Sequence, residues 1–263
     1  MVARQHSSFA NEADETVAAH VALRRALVPN PRAWIHNGEG VIASTADIDC
    51  PTCNTIYVHD SAARPDEVRD LVARLAARNR PFQLTIRGSL APRYAPVLEA
   101  AGLSHHADLP MMTVTPGEFR PAPAAEALDL FALAPDAEPY HLELVAWGLD
   151  MSLKGISHLM SPANLASPAW TSWVGEVDGV LAVTGSAIRG ELGSGLISIV
   201  TDPRFGRRGF AAALTSRAIA DSFAQGSPRV FLHSSAQGFG VYQKLGFRTV
   251  EQLSLFGPGA PAH

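Results

Sequence analysis

Between Leu196 and Phe247 lie most of the residues whose types and spacing suit chemistry. Thr201-Asp202-Pro203-Arg204-Phe205-Gly206-Arg207-Arg208-Gly209-Phe210-Ala211 is a Pro-interrupted turn bearing two glycines and three arginines. It follows Leu196-Ile197-Ser198-Ile199-Val200, which reads as a buried strand, and leads into a helix-period pattern over residues 211–223. A strand, a glycine turn and a helix start make an anion site. The free N–H groups of the first helical turn converge, and the helix dipole favours negative charge there. Gly209 has no Cβ, so a phosphate can approach the backbone, and Arg204, Arg207 and Arg208 add positive charge. Farther on, Tyr242 offers a phenol of pKa ~10, protonated at neutral pH and so able to donate a proton. His233 closes the apolar run Val230-Phe231-Leu232-His233, where a core or rim role is its simplest use.

These residues carry a family resemblance. Residues 200–214 resemble the acetyl-coenzyme A loop of the GNAT N-acetyltransferase superfamily, whose pattern is Arg or Gln, two residues, Gly, one residue, then Gly or Ala. It falls on Gly206 to Ala211: Gly209 and Ala211 match, and Gly206 departs from the usual Arg or Gln. The second signature, Tyr, three residues, Gly-Phe, is met by Tyr242, Gly246 and Phe247. Leu232, Ser235, Gly238 and Tyr242 resemble a subgroup with Ser, rather than Asn, seven residues before the Tyr. No Walker run and no complete Gly-x-Gly-x-x-Gly competes.

The resemblance implies acetyl-coenzyme A as cofactor. Backbone groups of Ile199 and Val200 would receive the pantetheine arm, and N–H groups of Gly206, Arg207, Arg208, Gly209, Phe210 and Ala211 the pyrophosphate. Tyr242 would be the general acid, and Ser235 would orient the cofactor or a water. For the base, Glu176 is the candidate carried forward, beside Glu143, Glu191 and His158 or a relay through water. The segment from Tyr140 to Pro162, with Trp147, Met151, Leu153, His158 and Met160, would form the substrate-side helices. Its apolar, aromatic lean points to a small substrate with an apolar part.

The elements that must position these groups repeat. Helical spacing covers residues 11–27 and ends before Pro29 and Pro31. A hairpin turns at Asn37-Gly38-Glu39-Gly40; a strand at 55–58, a helix at 65–80 and a strand at 82–86 follow. Next come a short helix at 95–101 closed by Gly102 and a strand at 110–114. Residues 115–127, rich in Pro and Ala, read as a linker. The programme then restarts: a helix at 138–149, a hairpin around Val177-Asp178-Gly179, a strand at 193–200, the anion loop and its helix, a strand at 230–233, a helix at Tyr242 and a strand at 250–256. This is a diverged internal repeat. Leu98 takes the place of Tyr242, and His59-Asp60-Ser61-Ala62-Ala63-Arg64-Pro65 that of the anion loop, with an acid and no glycine. The fold class expected is α/β (α+β): the GNAT fold, a mixed central sheet flanked by helices, in two tandem GNAT-like halves. Residues 1–120 would be a degenerate half without a cofactor site and 121–263 the catalytic domain.

Composition bounds the function. A chain of 263 residues, 47% hydrophobic and 17% charged, can bury a core. A formal net charge of −4 gives no electrostatic case for nucleic acid. Cys50 and Cys53 form a lone Cys-x-x-Cys, read as two reduced thiols in a loop rather than metal ligands. Residues 1–8 look like a loose tail without the apolar stretch of a signal peptide, and no apolar run nears the ~20 residues that span a bilayer. A cytoplasmic protein without membrane or nucleic-acid partners, monomer or homodimer, is expected. The function so implied is acetyl-coenzyme A-dependent N-acetylation of a small amine, amino-acid-like or toxic. O-acylation, acyl-chain decarboxylation and a coenzyme A-binding module without turnover are the alternatives.

Overall fold

Asn11 starts the first helix, α1 (Glu12–Ala26): its side-chain oxygen accepts the N–H of Asp14 at 3.0 Å. Glu12, Asp14 and Glu15 in the first turn suit the positive end of the helix dipole. The computed structural model describes residues 11–26, 34–134, 136–137 and 139–258. The tail at 1–8 and the end of the expected helix beyond Ala26 lie outside them.

Two strands follow, β1 (Trp34–Asn37) and β2 (Val41–Thr45), joined by the expected turn. Gly40 has φ +74°, and a Cβ there would stand 2.5 Å from the backbone nitrogen of Ala63, so only glycine fits. A short 3₁₀ turn at Pro51–Cys53 leads to β3 (Asn54–Val58), α2 (Pro65–Ala76) and β4 (Gln83–Arg87). Pro65 occupies the first turn of α2, whose Val68, Leu71, Val72 and Leu75 are buried, as their 3.6-residue period requires. Next come α3 (Ala95–Ala100) and a long strand, β5 (Leu103–Val114).

In the second half a short strand, β6 (Asp129–Ala132), precedes α4 (Leu142–Gly148), α5 (Leu153–Leu159) and α6 (Pro162–Leu165). β6 was not foreseen, and the helix expected from residue 138 is described only from Leu142. Then follow β7 (Trp170–Val177), β8 (Val180–Gly190), β9 (Gly193–Thr201), α7 (Phe210–Ala224), β10 (Val230–His233), α8 (Phe239–Lys244) and β11 (Arg248–Pro258). Asp178 and Gly179, at φ 52° and 75°, close the β7–β8 hairpin as a turn with two left-handed residues must.

The eleven described strands form one mixed sheet, ordered β1-β2-β3-β4-β11-β5-β10-β9-β8-β7-β6. Within each half the strands run antiparallel until one parallel pair, β3 with β4 and β9 with β10. The two halves exchange strands. β11, from the second half, lies antiparallel between β4 and β5, while β5, from the first, lies between β11 and β10. α1 packs not on its own half alone but across β8 and β9. The segment read as a linker is tied down: Arg120 N–H donates to the Leu245 carbonyl at 3.0 Å and Ala122 N–H to Ser216 Oγ at 3.0 Å.

Candidate active site

The site is organised by the two parallel pairings of the described sheet, which differ. In the first half β3 and β4 stay paired over four residues, from Thr55↔Gln83 to Val58↔Ile86. In the second half β9 and β10 pair only at Ser194↔Val230 and Gly195↔Phe231, then part. From Leu196 onward one edge of β9 therefore has no described strand beside it, in the middle of a sheet. Unpaired N–H and C=O groups there await an extended partner. β9 also bulges where it parts: two residues, Ser198 and Ile199, stand opposite Gly185 between the pairs Ser186↔Ile197 and Thr184↔Val200. Ser198 has φ +56°, a left-handed conformation that a non-glycine residue rarely adopts, and its buried hydroxyl has no hydrogen-bond partner among the described residues.

One face of the gap carries the candidate anion site. Gly209 caps α7 at φ +81°, and a Cβ there would meet nothing within 4 Å, so the space above it is open. The first bond of α7 runs from Ala213 N–H to the Gly209 carbonyl, which leaves the amides of Phe210, Ala211 and Ala212 free, as helix geometry demands. Gly206 differs from expectation: its N–H is spent on the Pro203 carbonyl at 3.1 Å. Arg204 is spent too, held bidentate by Asp202, with Nη2–Oδ2 at 2.7 Å and Nε–Oδ1 at 3.0 Å. Arg207 and Arg208 are exposed and have no carboxylate partner among the described residues; Arg208 lies 4.7 Å over the Phe210 ring. Phe210 buries its side chain beside Phe205, so only its backbone is offered.

Tyr242 lies on this same face. It packs in a core with Leu214, Val230 and Leu232, and its ring meets Phe247 edge-on at 5.8 Å. Gly238 makes room for it, since a Cβ there would stand 2.7 Å from the tyrosine ring. Burial alone pushes the phenol up to about 12. Gly246 and Phe247 have structural reasons of their own. Gly246 is at φ +96°, where any Cβ would collide with the Glu118 carbonyl oxygen, and Phe247 is core. Ser235 is exposed at the turn before α8 and accepts the Gly238 N–H at 3.2 Å. Ile199 and Val200 lie where β9 has left β10, and Gly148 lets the end of α4 sit flush on Val200.

The other face carries a cavity of about 270 Å³. Alternation along β10 sends Val230 and Leu232 to the α7 side, and Phe231 and His233 to the α1 side. The cavity is lined by residues of both halves: His20, Leu23 and Arg24 of α1, Thr55 of β3, His158 of α5, Ile197 of β9 and His233 of β10. His20, Leu23 and Arg24 share a helix face by their i, i+3, i+4 spacing. The His20 and His233 rings meet edge-on at 4.6 Å, and His20 lies 5.1 Å from the Tyr57 ring, which in turn lies 5.7 Å from His59. His20 Nδ1, His233 Nε2, His59 Nε2 and the Tyr57 hydroxyl are buried without a partner among the described residues. Burial, helped by the Arg24 charge, holds His233 down to about 4 and His20 well below the usual imidazole range.

Of the sequence-based candidates, the structure brings Ile199, Val200, Gly206, Arg207, Arg208, Gly209, Phe210 and Ala211 to one end of the β9–α7 turn. Glu176 stands apart, at the end of β7, where its carboxylate accepts the Tyr140 hydroxyl at 2.6 Å; it does not line the cavity. Sequence reasoning missed His20, Arg24 and Tyr57. For His20 and Arg24 the signal was the shared face of α1, invisible until that helix is laid on β9. Cys50 and Cys53 are free, and flank a turn packed on Gly155 of α5. Among the described residues no helix is long and apolar enough to cross a membrane.

A mixed sheet thus parts at one parallel pair, with a helix start bearing free amides on one face and a cavity on the other. The comparisons name the fold. Residues 154–256 match the family model of the acetyltransferase (GNAT) domain. No curated protein sequence shows significant similarity. Among solved structures, a GCN5-related N-acetyltransferase from Kribbella flavida is 17% identical, over 96% of this chain and 98% of its own, with a TM-score of 0.71. One from Sphaerobacter thermophilus is 16% identical over 93% and 92%, at 0.56. A tandem GNAT protein from the clavulanic acid biosynthesis pathway is 12% identical over 95% and 97%, at 0.56. Residues 154–256 thus match a GNAT acetyltransferase domain, and the chain shares its fold with solved structures of GCN5-related N-acetyltransferases.

Proposed function

We propose that the chain is an acetyl-coenzyme A-dependent N-acetyltransferase that acetylates the amine of a small molecule in a ternary complex, with its cofactor site in the second half alone. The parting of β9 from β10 beside the free amides of α7 carries this reading. The residues fit the cofactor: an open strand edge, an open glycine and two arginines without carboxylate partners stand in line. Bound there, acetyl-coenzyme A supplies an acetyl thioester. The edge at Ile199 and Val200 receives the pantetheine arm. The amides of Phe210, Ala211 and Ala212, with Arg207 and Arg208, take the pyrophosphate. In the first half the same place is filled, because Asp60 Oδ1 already accepts the Ala62 N–H at 2.8 Å and β3 never leaves β4.

On the cavity side His20 and His233 are neutral at physiological pH and take the proton that the amine must lose. Tyr242, protonated at rest at neutral pH, would give its proton to the departing thiolate and be reprotonated from solvent before the next turnover. Glu176 is the other carrier for the amine proton, through water at the Tyr140 rim. Kinetics separate the two routes: His233→Gln lowers kcat/KM by about tenfold or more if the cavity route holds, and Glu176→Gln does so if the rim route holds. Calorimetric titration with coenzyme A is expected to give one site per chain, and mass spectrometry with acetyl-coenzyme A and amine pools to show an acetylated product. Two equivalent sites, or no product from any pool, refutes the reading.

A further inference from the structure

Among the described residues, three arginines reach well into the structure. Arg87 is ion-paired to Glu251 at 2.7 Å and Asp14 at 2.8 Å, and its side chain is 12% exposed. Arg229, 13% exposed, is paired with Glu15. Arg24 is the exception. It lines the cavity, its Nη2 donates to Thr55 Oγ1 at 3.3 Å, and its guanidinium lies 5.9 Å from the Tyr57 ring centre. No described carboxylate reaches it. A guanidinium drawn from water without an anion is held at a cost that natural interiors ordinarily offset with a carboxylate.

We propose that the missing partner is the acceptor substrate: an amine that also carries a carboxylate, seated bidentate on Arg24, with its amine toward His20 and His233. The proposal rests on the acetyltransferase reading and adds the substrate class. The cavity offers one cation and neutral imidazoles, which matches a single negative charge; a phosphate near −2 is poorly served. Arg24 and His20 are one turn apart on α1, about 6 Å along its axis, so the carboxylate and the amine are one to a few bonds apart, as in an α- or β-amino acid. Leu23, Ile188 and Phe231 supply apolar wall for its side chain. The arrangement also couples binding to proton transfer. Burial is the main depressor of both imidazoles and Arg24 a lesser one, so a carboxylate seated on Arg24 lifts part of the depression when the acceptor is in place.

The test is calorimetric titration of N-acetylglycine, N-acetylalanine, N-acetylleucine and N-acetylphenylalanine, each beside its carboxamide, into wild type, Arg24→Met and Arg24→Lys. At least one acid is expected to bind wild type, to bind Arg24→Met about 10- to 100-fold more weakly, and to bind Arg24→Lys in between. Its carboxamide is expected to bind weakly and equally to all three. An unchanged affinity in Arg24→Met, a carboxamide as good as the acid, or no binding in the whole series overturns the proposal. Melting curves show that each variant is folded. Coenzyme A is titrated separately: loss of that binding with the acid series intact sinks the acetyltransferase reading and leaves the carboxylate site standing.

Discussion

Replacing Tyr242 with Phe removes one hydroxyl from a ring that the core holds on every side. The consequences for stability and for rate diverge. Burial is the only cause of the raised phenol pKa, with no hydrogen bond or charge contributing, so loss of the hydroxyl strands no partner. Stability changes by less than about 1 kcal/mol. Tyr242→Ala instead empties a site packed against Leu214, Leu232 and Phe247 and costs about 3–5 kcal/mol, roughly 10 °C in Tm for a chain of this size. For rate, a phenol at about 12 facing a thiolate whose conjugate acid is near ~8.5 gives up its proton uphill by about 3.5 pKa units, or about 5 kcal/mol. That is a large share of a barrier near ~16 kcal/mol, which corresponds to about 10 turnovers per second. The gap narrows because the same burial raises the thiol. A general acid contributes about 10²–10⁴ in rate, so kcat should fall by that factor in Tyr242→Phe with the coenzyme A affinity unmoved. Steady-state kinetics at saturating substrate, beside melting curves for both variants, decide it. A Phe variant that keeps more than half of wild-type turnover refutes the assignment and leaves water as donor.

Gly209→Asp puts a negative charge at the helix start and a side chain at φ +81°; coenzyme A binding should vanish in calorimetry, while Gly209→Ala, with open space around it, should lose only about 1 kcal/mol of stability. Acid should destabilise the protein between about pH 6.5 and pH 4. There the unfolded chain binds protons that His20 and His233 refuse in the native state, so stability falls as pH falls, by up to about 3 kcal/mol for His233 alone, and is flat above about pH 7. Equal Tm at about pH 7.5 and about pH 5 contradicts this. Residues 121–263 expressed alone lack β5, the neighbour of β10, and also lack α1; this fragment should be insoluble or should bind coenzyme A without acetylating any amine.

The long periodic elements were legible because burial imposes their period. α2 shows four buried apolar residues at helical spacing, and the glycines of both hairpin turns announce left-handed residues. The turn at Gly209 and the helix start that follows it were legible for a related reason: a glycine turn before a helix is local chemistry. What escaped was set by distant partners. β6 is a half-exposed edge strand with no alternation to betray it. The first part of β5 carries His105, His106 and Asp108 and reads as a polar loop; it is a strand because β11 pairs with it. The bulge at Ser198 leaves no mark in Leu196-Ile197-Ser198-Ile199-Val200. The caps of α5 and α6 were there to be read, since Ser152 accepts the Gly155 N–H at 3.1 Å and Ser161 that of Asn164 at 3.3 Å.

The exchange of β5 and β11 ties the two halves into one sheet. Each half alone would leave an internal strand edge bare, β4 on one side and β10 on the other, and such edges invite aggregation. Inserted reciprocally, the two strands cover both edges and fix the halves in register. The register lays α1 over β8 and β9 and so delivers His20 and Arg24 to the gap where β9 parts from β10. In the first half β3 stays zipped to β4 from Thr55 to Val58, so no such gap opens there. That half instead supplies His20, Leu23, Arg24 and Thr55 to the wall of the cavity.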